Sequence, residues 1–149
     1  MTLKKKIHGI YLQQVNDKID VFKDMILALT EDSKNDAKGS AGDKHETALS
    51  MMHIEQEKLN RKLVEIVAQK SILEKIDTQI QASKVSLGSL VQVNEMLLFV
   101  STALPKITVE GKTIIAVSPQ SPLGSKLMGS EVGFTFEING SKFCISEIS

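Results

Sequence analysis

The sequence predicts an α+β protein in two parts, a pair of long amphipathic helices followed by a small sheet carrying one helix. Three observations predict it. Apolar residues recur at alternating spacings of three and four in the first half. All three prolines lie at or beyond Pro105 and six of the nine glycines at or beyond Gly88. The second half is a series of short runs rich in β-branched and aromatic residues, separated by turn signals. The composition shift places the boundary in residues 81 to 88, so the chain is expected to divide into 1–82 and 83–149.

In the first arm, Leu12, Val15, Ile19, Phe22, Ile26 and Leu29 form one stripe with a coiled-coil-like seam. In the second, Met52, Leu59, Leu63, Ile66, Leu73 and Ile80 continue the same spacing, with Gln56, Lys70 and Asp77 at seam positions. Between the arms, residues 31–42 are polar and contain Gly39 and Gly42, which predicts a turn. Neither stripe is buried by its own helix, so the arms are expected to fold back as an antiparallel coiled-coil hairpin.

Six strands are expected in the second half, at residues 89–94, 96–102, 107–109, 113–117, 134–138 and 142–148. Asn94-Glu95, Glu110-Gly111 and Asn139-Gly140 supply turns, the last a strong hairpin signal. Ser118 to Gly129 reads as a loop entering one short helix closed by Gly129. An antiparallel sheet with one covering helix is the expected result.

Composition narrows the function classes. Among 149 residues, 18 Lys plus Arg balance 18 Asp plus Glu, which excludes a uniformly basic nucleic-acid binder. The balance is regional: residues 1–30 carry +2, 31–57 carry −4, 58–87 carry +3 and 88–149 carry −1. Aromatics make up 4% with no Trp, which disfavours a base-stacking surface or an aromatic-lined pocket. Cys144 is the single cysteine and forms no internal disulfide. Lys4-Lys5-Lys6 is followed by polar residues instead of a signal-peptide core, and no apolar run reaches 18 residues, so a soluble cytoplasmic protein without membrane contact is expected.

No nucleophile elbow, phosphate loop or paired metal-binding histidines are found in the sequence, so an enzyme acting alone is not expected. The most informative segment is Gly42-Asp43-Lys44-His45-Glu46-Thr47-Ala48. Asp43 and Glu46, three apart, project from about the same side of the first turn of the second arm. That pattern fits a capping box at a helix start. Capping is the reading that the spacing alone favours; the sharper one is two carboxylates delivered to a divalent cation.

The segment from Ser40 to Ala48, followed by Glu55-Gln56, resembles the hairpin-tip signature of the bacterial GreA/GreB transcript cleavage factors, approximately G-D-x-x-E-N-A-E-Y and then E-Q. Ile115 to Gly129 is similar to their I-S-x-x-S-P-L-A-x-A-L-x-G-K segment, and Val132-Gly133 to Ile148 to their closing hairpin. The likeness runs through the whole chain in order. It implies a coiled-coil hairpin and an FKBP-like C-terminal domain that docks at the secondary channel of bacterial RNA polymerase. It also implies, for a monomer in that complex, that Asp43 and Glu46 help hold a Mg²⁺ shared with the polymerase active site, where backtracked RNA is cleaved near its 3′ end. Ser121, Pro122 and Leu123 would lie in the docking loop. Prolyl isomerase activity is not expected with so few aromatics.

This chain departs from the family pattern at Thr47, where Asn is expected, at Leu49-Ser50 in place of Glu-Tyr, and at Phe134 in place of Asp. Ser101 to Pro105 stands where the family has an acidic stretch. Two other readings therefore stay open: a Gre-like paralogue that occupies the channel and modulates transcription without cleavage, and a coiled-coil assembly protein unrelated to polymerase.

Overall fold

The computed structural model describes residues 2–39 and 43–149, with side chains described outside residues 33–46. The chain is α+β: helices α1 (Leu3–Gly39) and α2 (Asp43–Glu74) precede strands β1 (Leu90–Val93), β2 (Met96–Val100), β3 (Ile107–Val109) and β4 (Lys112–Val117), helix α3 (Pro122–Leu127), and strands β5 (Thr135–Ile138) and β6 (Ser141–Ile148). It forms two compact units, one of Met1–Leu12 with Ser71–Ser149 and one of Gln13–Lys70.

Helix α1 starts where Thr2 caps it, its hydroxyl accepting from Lys5 N at 3.2 Å and its carbonyl from Lys6 N at 3.1 Å. The polar segment beginning at Glu31 does not end the helix as the sequence suggested. It contains no Pro and no Gly before Gly39, and Glu, Lys and Ala are good helix formers, so the backbone stays helical to that glycine. At the other end, α2 stops at Glu74, short of the expected Asp77 and Ile80. There Lys75 N and Ile76 N bond back to Ile72 O and Leu73 O, and the Asp77 carboxylate accepts from Gln79 N at 3.0 Å. This Asx turn offers the backbone an alternative to the helix. Ile76 is consequently buried while Ile80 is 60% exposed.

In the unit of residues 13–70, Val15 and Ile19 of α1 and Leu59 and Ile66 of α2 are buried, as the stripes require. Gln56, a polar residue on the seam, is satisfied. Its Nε2 donates to Thr30 Oγ1 at 2.6 Å, and that hydroxyl donates to Ile26 O at 2.9 Å.

In the other unit the strands form one six-stranded sheet in the order β3-β4-β2-β1-β6-β5. All six expected strands are present, but the sheet is mixed, not antiparallel, because β2 pairs with β4 in parallel with Leu98 opposite Ile115. After β2 the chain skips one strand position to make β3, and the β3–β4 hairpin returns β4 into the gap. Glu110-Gly111 and Asn139-Gly140 have positive φ at both central residues, the geometry of two-residue hairpin turns. β6 is long enough to pair with β5 through its first half and with β1 through its second, with a bulge opposite Gln92 and Val93.

One face of the sheet packs Val91, Val93, Leu98, Val100 and Ile145 against Leu127 of α3 and Val85. On the opposite face, Tyr11 and Phe99 are fully buried, and their rings lie parallel with centroids 6.1 Å apart. Tyr11 OH donates to Pro105 O at 2.8 Å, and His8 Nε2 donates to Leu73 O at 2.7 Å. The first three turns of α1 and the last of α2 thus belong to the packing of the sheet.

Burial pushes the Tyr11 phenol up to about 12 from its ordinary 10.0. Unfolding then releases a phenol that ionises more easily, so stability is intact below about pH 10 and falls as pH rises toward about 12. Lys4 has the opposite sign, since burial lowers its pKa and Asp77 only partly offsets this. Tyr11→Phe should cost about 1 kcal/mol at neutral pH by removing the hydrogen bond to the Pro105 carbonyl. It should also flatten the loss of stability above about pH 10, as read by denaturant unfolding at a series of pH values.

Candidate functional site

The loop from Ser118 to Leu123 is the best-defined surface feature among the sequence-predicted sites, and its shape follows from its own residues. Ser118-Pro119 and Ser121-Pro122 restrict the backbone before each proline to extended geometry. Ser121 has φ −67° and ψ 160° and caps α3, its Oγ accepting from Gly124 N at 3.0 Å. The same hydroxyl donates to Ser118 O at 2.8 Å, while Ser121 N donates to Ser118 Oγ at 3.1 Å. Pro122 sits in the first turn of α3, where its missing N–H costs nothing.

A close approach fixes the arrangement. A Cβ on Gly124 would lie 1.8 Å from Ser118 O, so only glycine lets the helix start this near the loop. The three predicted docking residues consequently differ in role. Pro122 is exposed, Ser121 spends its hydroxyl on the cap, and Leu123 packs against the core cluster beneath α3. The serine-proline pattern was legible in the sequence. The need for glycine at 124 was not, because it arises from a contact six residues back.

Asp43 and Glu46 fall at the start of α2, in its first turn, but their side chains lie outside the described residues, as does that of His45. Among the described residues, no group of three His, Cys, Asp or Glu side chains is placed to hold a metal ion. A pair of carboxylates supplies hard oxygen donors of the kind Mg²⁺ takes, and two of them leave most of its coordination shell to other ligands.

Two features were missed by sequence reasoning. Lys4 is only 7% exposed, its Nζ donating to Ile80 O at 2.7 Å, at the side of a cleft of about 200 Å³ that also takes in Thr78, Gln92, Lys112 and Glu147. A lysine in a short basic run is ordinarily solvated. Nearby, Lys6 pairs with Glu110, whose carboxyl is held below the usual carboxylate range by that hydrogen bond and by the lysine charge. In the other unit, Lys58, Arg61 and Lys62 line an open groove of about 260 Å³ on α2, with Glu65 3.8 Å from Lys62. At spacings of three and four they share one helix face, a pattern the regional charge of residues 58–87 already contained.

No protein-family model matches the chain, and no curated protein matches it. Among the described residues, no helix is long and apolar enough to cross a membrane.

The packing at Gly124 yields a direct test. Gly124→Ala should destabilise the sheet-containing unit by about 2 to 4 kcal/mol, since backbone must move to relieve the overlap. Ser121→Ala, which removes only the cap, should cost about 1 kcal/mol. Thermal unfolding of the two variants distinguishes these costs.

Proposed function

We propose that the chain is a Gre-like factor of bacterial RNA polymerase, working in the cytoplasm, that enters the secondary channel and stimulates cleavage of backtracked RNA. The observation that carries this reading is the pairing, in one chain, of Asp43 and Glu46 in the first turn of a long helix with the rigid Ser121-Pro122-Leu123 loop on the sheet. An antiparallel hairpin of α1 and α2 is supported by two contacts, His8 with Leu73 and Thr30 with Gln56, whose numbers run in opposite senses along the two helices. An FKBP-like domain is supported by α3 packed on one face of the six-stranded sheet.

In this reading the two tip carboxylates bind at the polymerase active centre and orient a water for attack, and Pro122 makes the exposed contact of docking. A Mg²⁺ shared with the polymerase would supply Lewis-acid stabilisation of the scissile phosphate. In this reading Lys58, Arg61 and Lys62, which line one groove on α2, would neutralise part of a phosphate backbone.

A second reading, a channel-occupying modulator without cleavage, is favoured by Thr47 and Leu49-Ser50, which alter the surroundings of the two acids relative to the family pattern. RNA cleavage by a stalled, backtracked polymerase, measured with and without the protein and Mg²⁺, separates the two. Stimulated cleavage supports the first reading; binding without stimulation supports the second. Absence of binding defeats both and leaves the assembly protein.

Asp43→Ala combined with Glu46→Ala should lower stimulated cleavage by about tenfold or more at unchanged polymerase affinity. If the pair only caps α2, the double variant loses about 1 to 2 kcal/mol of stability and the folded fraction keeps full activity. Pro122→Asp should show the reverse pattern, weaker binding with cleavage restored at saturating protein.

A further inference from the structure

We infer that β5 is a self-association edge, through which two copies of this chain pair antiparallel about a two-fold axis at Phe136. β5 ends the strand order, and among the described residues its only strand neighbour is β6. The two-residue turn at Asn139-Gly140 makes Ile138 and Ser141 the closing hydrogen-bonded pair, and alternation continues to Phe134, whose carbonyl accepts from Ile145 N at 3.0 Å. The intervening residues Thr135 and Glu137 therefore direct their backbone N–H and C=O away from β6, to the free edge. Both residues are exposed.

The opposite edge is guarded and this one is not. β3 has three residues, follows Pro105 and Lys106, and leads into Glu110, which is tied to Lys6 of α1. Short length, proline and lysine are the usual devices against edge pairing. β5 has no proline and no lysine, and it is flanked by exposed apolar residues, Val132 at 58% and Phe134 at 42% exposure.

The strand's own sequence selects a second copy and a register. Only residues with outward backbone groups can exchange hydrogen bonds across the new ladder, so Thr135 and Glu137 must pair among themselves. Pairing Glu137 with its own copy sets two carboxylates opposite each other, which is unfavourable. Pairing Thr135 of each copy with Glu137 of the other avoids this and uses all four strand residues. It also sets Phe134 opposite Ile138 of the second copy and Phe136 opposite Phe136. The Phe134–Phe136 stack, with centroids 5.7 Å apart, would then continue across the axis as one apolar row. A four-residue ladder is small beside the roughly 1,200 to 2,000 Å² of a stable interface, so the dimer should be weak, with a Kd of about 10 µM to 1 mM. Such an equilibrium stands apart from the polymerase reading and survives its failure.

Sedimentation equilibrium of the full chain over that concentration range tests the inference. A monomer–dimer equilibrium is expected in the wild type. Thr135→Lys, which creates two Lys–Glu137 pairs across the axis, should tighten it about threefold or more, and Thr135→Glu should weaken it by a similar factor. Both substitutions fall on an exposed side chain and leave the β6 ladder intact. Thr135→Pro removes an outward N–H that β6 does not use and should abolish the dimer. A wild type that stays monomeric throughout overturns the inference, as does a dimer on which the lysine and glutamate variants act alike; an added extended peptide binding the monomer's edge instead would overturn the choice of a second copy.

Discussion

Tyr11 stands at the point where helix and sheet are made into one packed body. Its ring lies flat over Phe99 of β2, and its hydroxyl reaches the carbonyl of Pro105 in the connection to β3. A phenol buried this completely needs a partner for its O–H, and the carbonyl supplies one in the connection between β2 and β3. The position of that loop decides where β3 begins. The β3–β4 hairpin in turn sets β4 beside β2, so the parallel pair in the sheet depends on the same anchor. One side chain on the third turn of α1 thus bears on helix packing and on strand order.

Much of this was written locally in the sequence and some of it was not. The alternating stripe from Leu12 to Leu29 is read from spacing, and its members are buried or half-buried positions of α1, Val15 and Ile19 the most buried among them. Ile7 and Tyr11 continue the buried face toward the N-terminus, yet Lys4 and His8 interrupt it with polar side chains that find carbonyl partners only in the folded chain. The strands were legible from β-branched runs and turn residues, whereas their order was not. A parallel neighbour is determined by a contact between segments about 17 residues apart, Leu98 with Ile115, and no local pattern encodes it. The end of α2 was misplaced for a similar reason, since the heptad continues to Ile80 while Asp77 turns the backbone aside.

The candidate site divides along the same line. Ser121 and Pro122 announce a helix start by residue type alone, and the structure places them there. The role of Leu123 was less visible: a leucine after a proline reads as surface in a docking motif, but its contact with the cluster around Leu127 and Val100 fastens the loop to the core. Asp43 and Glu46 have the pattern of a cap and the pattern of a metal-assisting pair at once. Both patterns call for carboxylates three apart in the first turn of a helix, so spacing cannot separate them.

That ambiguity has a physical consequence for how such a molecule would work. A docking residue gains from being held before the partner arrives, because less ordering remains to oppose binding. Pro122 has that character: its own φ is fixed, the Ser121 cap holds the turn before it, Gly124 admits Ser118 against the helix, and Leu123 ties the next position to the core. Carboxylates that assist a shared ion have a different requirement, since their geometry must be completed by ligands of the partner site. A chain that fixes its exposed proline by four separate constraints has therefore already met the ordering cost that a docking residue there would face.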